Sequence, residues 1–172
     1  ALEGFIRYTE KMVSHFKGRV KMYEIWNEWD MGIGVKLLPD GTRPKGTPES
    51  YVAFSAAVYP RIKAIDPDAF VLAGGHAAQS LRRSDWFDRA LAAGLAEHCD
   101  GLSMHTYTAP QRSPEYWHRW MKTLQERYST NFNDGEPMPF YITETAWYTK
   151  QSINLSQEVK GAYAARMHLL AK

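Results

Sequence analysis

Apolar positions along the chain fall into two alternating rhythms. Over 1–17, Phe5, Ile6, Met12, Val13 and Phe16 recur at near-helical spacing, and Gly18 follows as a stop signal. Residues 20–26 then read as a short strand that ends in the polar pair Asn27-Glu28. A loop rich in Gly and Pro runs to Gly46. Thr47-Pro48-Glu49 supplies a helix cap, a proline suited to the first helical position and early negative charge, so a helix is expected over 48–65. The pattern repeats three more times: strands over 69–73, 101–107 and 140–145, and helices over 84–95, 114–128 and 156–171, the last opened by Ser156. The turn-rich stretch 131–139 precedes the fourth strand.

Strands alternating with helices of this length predict βαβ units and a parallel sheet in one domain spanning 1–172. The rhythm alone fits two architectures, an open doubly wound sheet and a portion of a closed barrel. Composition narrows the function more than the fold. The 172 residues are 44% apolar and carry a formal charge of +2, with no basic stripe to neutralise a phosphate backbone, so no nucleic-acid partner is expected. No apolar run reaches the roughly 20 residues that span a bilayer, so no membrane partner is expected. The single cysteine, Cys99, can make neither an intrachain disulfide nor a cysteine metal cluster, and is expected as a buried thiol. Aromatics reach 13%, several of them near polar strand ends, where sugar-binding clefts use aromatic faces.

The candidate chemistry sits at the C-terminal ends of the strands, where α/β folds build their sites. These ends carry Asn27-Glu28, His76 after Gly74-Gly75, His105 with Tyr107, and Glu144. The loop after the first strand matches neither glycine-rich phosphate fingerprint, which disfavours a nucleotide. Because neighbouring strand residues point to opposite faces, Asn27 and Glu28 share a cleft only if the strand ends or bulges there. Two carboxyl groups held face to face on one parallel sheet match the requirement of glycoside hydrolysis for a proton donor and a nucleophile or base. No histidine has metal-ligand spacing, so no metal and no organic cofactor are expected.

Tyr23-Glu24-Ile25-Trp26-Asn27-Glu28 resembles the fourth-strand motif of clan A glycoside hydrolases. Gly101-Leu102-Ser103-Met104-His105-Thr106-Tyr107 resembles their sixth strand, and Tyr141-Ile142-Thr143-Glu144-Thr145-Ala146-Trp147 their seventh. The combined order and spacing look most like family 39, or a neighbour such as family 5. The resemblance implies a portion of a (β/α)8 TIM barrel, strands four to seven with their helices, incomplete as given. It implies a retaining glycosidase acting on a carbohydrate substrate, with Glu28 as acid/base, Glu144 as nucleophile and Asn27 as a ligand of the sugar 2-hydroxyl. His105 and Tyr107 then line the site, Trp147 is a candidate stacking wall and His76 a candidate substrate contact. A polysaccharide hydrolase suits a secreted or periplasmic setting, although no signal sequence opens the chain. A partial barrel has two open strand edges, which predicts self-association or further barrel segments to close it. The rival readings are a carbohydrate-binding protein without catalysis and a structural half-barrel.

Overall fold

The computed structural model describes residues 2–77, 85–107, 112–128, 137–147 and 155–171. The order is α1 (Leu2–Phe16), β1 (Met22–Ile25), a 3-10 turn (Trp29–Met31), α2 (Pro48–Ile65), β2 (Phe70–Ala77), α3 (Trp86–Ala92), a second 3-10 turn (Leu95–His98), β3 (Gly101–His105), α4 (Pro114–Tyr128), β4 (Phe140–Glu144) and α5 (Gln157–Leu170). Thr47 caps α2 as its sequence predicts: its hydroxyl accepts from the Ser50 N–H, while the Ser50 hydroxyl accepts from the Thr47 N–H. Ser156 caps α5 in the same way through the Val159 N–H. The expected turn over 131–139 and the start of the helix expected at Ser84 lie largely outside the described residues.

The four strands form one parallel sheet in the order β1-β2-β3-β4. This order contains no reversal of direction. A doubly wound sheet reverses direction at a switch point and so carries helices on both faces. Right-handed crossovers that always step the same way put every connecting helix on one face, as in a barrel wall. Register agrees with this. Tyr23, Val71, Ala73, Leu102 and Met104 share one face, and Val71, Ala73, Leu102 and Met104 are fully buried with Tyr51, Val58 and Ile62 of α2 and Phe87 of α3. The opposite face carries Met22 and Glu24 of β1, Ser103 and His105 of β3, and Tyr141 and Thr143 of β4. The sheet curls around that face: the Thr143 hydroxyl donates to Glu24 Oε1 at 2.8 Å, joining the two edge strands.

Cys99 is buried against Leu95 and Met138, and burial pushes its thiol up to about 12. Among the described residues no helix is long and apolar enough to cross a membrane.

β2 departs from its expected end. Instead of stopping at Gly74-Gly75 it runs through the pair to Ala77, with a bulge between Ala73 and His76. Gly74 has φ +129° and Gly75 φ +49°, and a Cβ on Gly74 would stand 2.2 Å from the Ser103 carbonyl oxygen. Only glycine fits there without displacing β3. Gly74→Ala should therefore cost about 1–3 kcal/mol or more in a urea titration. Gly4→Ala, in α1 with nothing within 4 Å of the added carbon, should be neutral or stabilising by up to about 1 kcal/mol. Equal effects of the two substitutions would contradict this account of the bulge.

Candidate active site

β1 ends at Ile25, and the next three residues leave strand geometry altogether. Trp26 has φ +66° and Glu28 φ +46°, both left-handed conformations that a non-glycine residue adopts at a cost of about 1–3 kcal/mol. This double reversal answers the pleat problem, since it frees Asn27 and Glu28 from strict alternation. The surroundings hold the turn in place. The Trp26 indole N–H donates to the Ile33 carbonyl at 2.9 Å, and its ring packs on Phe5, Phe54 and Trp29. The Glu28 N–H donates to the Gly75 carbonyl at 3.0 Å, and the Glu28 carbonyl accepts from Met31 and Ile33.

The Gly75 carbonyl is itself positioned by the bulge. The Gly75 N–H donates to the Ser103 hydroxyl at 2.8 Å, and the Gly74 N–H to the Tyr51 hydroxyl at 2.7 Å. The Tyr51 hydroxyl donates in turn to the Ile25 carbonyl at 2.8 Å. One fully buried phenol from α2 thus ties the last residue of β1 to the bulge of β2.

His105 ends β3 with a side chain only 2% exposed. Its Nδ1 lies 3.2 Å from Glu28 Oε1 and 3.2 Å from Glu144 Oε2. One ligating atom from each of Glu28, His105 and Glu144 lies within 4.8 Å of those of the other two. The two carboxylates are more open than the imidazole, with side-chain exposures of 21% for Glu28 and 45% for Glu144. The Tyr107 hydroxyl donates to the other oxygen of Glu144, Oε1. The backbone beneath is laced together: the Thr106 N–H donates to the Glu144 carbonyl at 2.8 Å, and the Thr145 hydroxyl to the Thr106 carbonyl at 2.7 Å. The Trp117 indole of α4 anchors the Thr106 hydroxyl at 3.1 Å. Glu28, His105, Tyr107 and Glu144 therefore converge at one end of the sheet, with Asn27 exposed beside them.

Two residues expected at the cleft lie elsewhere. His76 is fully buried, tilted against Trp86 and edge-on to Phe87 at centroid distances of 4.8 and 5.8 Å, with Nε2 3.6 Å from Asp30 Oδ2. The bulge turns its ring into the protein, so it does not offer a surface to a sugar. Trp147 is 6% exposed, its indole donates to the Arg112 carbonyl at 2.8 Å, and Tyr163 of α5 packs on its ring. Its faces are used for packing rather than for a stacking wall. Conversely, Tyr51 and Asp30 had no motif to announce them, and Ser103 stood unremarked within the sixth-strand motif. Ser103 had a weak signal, lying two positions before His105 and hence on the same strand face. Asp30 is buried, and its Oδ1 accepts from the Ala77 N–H at 3.3 Å, joining the turn after Glu28 to the end of β2.

No family model and no curated protein matches the chain. Solved structures do. A family 39 glycoside hydrolase from the gut symbiont Bacteroides cellulosilyticus WH2 aligns with a TM-score of 0.68 at 23% identity, covering 96% of this chain and 34% of that one. A family 39 β-xylosidase from Caulobacter crescentus aligns with a TM-score of 0.64 at 20% identity, covering 100% and 36%. A family 39 enzyme from Xanthomonas axonopodis pv. citri aligns with a TM-score of 0.55 at 19% identity, covering 84% and 30%. The likeness to family 39 read from the three strand motifs thus recurs in three dimensions. At this identity it establishes a shared fold, and the chain spans about a third of the length of these enzymes.

Burial holds the His76 pKa below the usual histidine value, with the Asp30 carboxylate acting in the opposite sense. On unfolding, His76 regains its ordinary value of about 6.5. Between the two values the unfolded chain binds a proton that the folded chain does not, so this contribution to stability is complete above about pH 6.5 and shrinks as pH falls through the window. Urea titrations at pH 7 and pH 5 should show a smaller loss of stability for His76→Asn than for the parent chain. Identical losses would remove His76 from the account.

Proposed function

We propose that the chain carries the catalytic pair of a retaining glycoside hydrolase, with Glu144 as nucleophile and Glu28 as acid/base. The observation that carries this reading is the approach of the two carboxylates: their facing oxygens lie within 4.8 Å, each 3.2 Å from the same imidazole nitrogen. Retaining enzymes hold their carboxyl groups about 5–5.5 Å apart, whereas inverting ones need roughly 6.5–9.5 Å to admit a water. The close approach of one oxygen from each group supports direct attack by one carboxylate. The fold shared with family 39 enzymes supports the same reaction class.

In the first step Glu28 gives its proton to the glycosidic oxygen while a Glu144 oxygen bonds to the anomeric carbon. The carbon–oxygen bond to the leaving group breaks, and an ester links sugar to protein. In the second step the Glu28 carboxylate takes a proton from water as that water attacks the anomeric carbon. The ester bond breaks and returns Glu144 as carboxylate. The Tyr107 hydroxyl fixes the orientation of the Glu144 carboxylate, and the buried His105 ring keeps the two acids in register. Asn27, exposed beside Glu28, binds the 2-hydroxyl of the sugar. Additional barrel segments or a second copy would cover the β1 and β4 edges in the working enzyme, and native mass spectrometry distinguishes the two.

An aryl β-xyloside is the first substrate to try, because one of the similar folds belongs to a β-xylosidase. Glu28→Gln should lower kcat about 10²–10⁴-fold with an unactivated leaving group. Glu144→Ala should abolish turnover with any leaving group. NMR of the first-formed sugar should show the configuration of the substrate retained. Undiminished hydrolysis by Glu144→Ala, or an inverted product, would overturn the assignment.

A further inference from the structure

Three donors of mixed chemistry face one point at the end of the sheet. His105 contributes a ring nitrogen and Glu28 and Glu144 one carboxylate oxygen each, with both nitrogen–oxygen separations at 3.2 Å. Three ligands bound to one zinc ion at about 2.0–2.2 Å in tetrahedral geometry stand about 3.4 Å from each other. The imidazole is already within a few tenths of an ångström of that spacing to both oxygens. The oxygen pair, within 4.8 Å, needs only a closing rotation of two partly open carboxylates. The imidazole is also the least movable of the three groups, being 2% exposed, and so supplies a fixed first ligand. Tyr107 holds the far oxygen of Glu144 and thereby orients the near one, as an outer hydrogen bond orients a metal-ligating carboxylate. The other buried imidazole–carboxylate pair, His76 with Asp30, is sealed from solvent at 0% and 4% exposure, and among the described residues it forms no three-residue group of metal-ligating side chains.

We propose that Glu28, His105 and Glu144 bind a single divalent transition-metal ion of the zinc type, which occupies the cleft in competition with the sugar. One nitrogen and two oxygens suit zinc, copper or nickel, whereas calcium asks for six to eight oxygens and magnesium for near-ideal octahedral oxygen geometry. Zinc held by three side chains keeps a fourth position for water. With both carboxylates engaged, neither can protonate a leaving group or attack a sugar, so the ion is an inhibitor and not a participant. The inhibitory half of this inference rests on the catalytic assignment above, while the binding half stands on the geometry alone.

The test is a calorimetric titration of the chelator-treated chain with Zn²⁺ alone, repeated with Mg²⁺ and Ca²⁺. One zinc per chain should bind, with no binding of magnesium or calcium in the same range. Glu144→Gln and His105→Ala should each weaken zinc roughly tenfold or more. Glu49→Gln, at an exposed ion pair with Arg89 on α2, should leave it unchanged. Glu144 is 45% exposed and its isosteric replacement buries no new group, so that variant decides the matter if His105→Ala does not fold. Zinc affinity unaltered in Glu144→Gln, or equal binding of magnesium, would overturn the site. Aryl glycoside hydrolysis run in parallel separates the two readings. Zinc binding without hydrolysis would keep the metal site and remove the enzyme. Hydrolysis with no chelator-reversible zinc inhibition would remove the inference and keep the enzyme.

Discussion

One oxygen of Glu28 and one of Glu144 each lie 3.2 Å from the same nitrogen, Nδ1 of His105. That shared nitrogen is the constraint on which the rest of the arrangement turns. Nδ1 of His105 stands between the two acids and can share one N–H with both oxygens. Burial of the ring keeps it there, at the end of β3, an inner strand paired on both sides and buried along its length. Without this group the two carboxylates would lose the one nitrogen that they share.

The price of convergence is local strain. A strand delivers alternate residues to opposite faces, so the chain must break strand geometry to aim Glu28 at the imidazole. It does so at Trp26 and Glu28 with two left-handed residues, neither of them glycine. The true glycines lie one strand away, at Gly74-Gly75: Gly74 approaches β3 so closely that no side chain fits, and Gly75 has φ +49°. The bulge exposes the Gly75 carbonyl to the Glu28 N–H, and Tyr51 clamps the bulge to the end of β1. Strain at the acid is thus held by packing behind it, a common relation between a scaffold and a site.

The helix–strand rhythm was legible because each element carries its own periodicity and punctuation: Thr47 before α2 and Ser156 before α5 cap as their types require. Convergence of Glu28, His105, Tyr107 and Glu144 was legible because all four stand at strand ends of one parallel sheet. The choice between an open sheet and a barrel wall was not, since it depends on the order of the strands in space and no local pattern encodes that. His76 and Trp147 were misjudged for a related reason. Position after a strand predicts nearness to the site, but the bulge at Gly74-Gly75 rotates His76 inward, and α5 claims the ring of Trp147. Tyr51 acts through hydrogen bonds to backbone atoms of two strands, and such contacts leave no trace in residue type or spacing.

The most direct measurement is to trap the covalent intermediate. The chain is incubated with a 2-fluoro aryl glycoside, which slows the second step more than the first, then digested and read by mass spectrometry. The account predicts one sugar per chain, on the peptide that contains Glu144. A sugar on any other residue, or turnover through an intermediate that carries no sugar on Glu144, would contradict it.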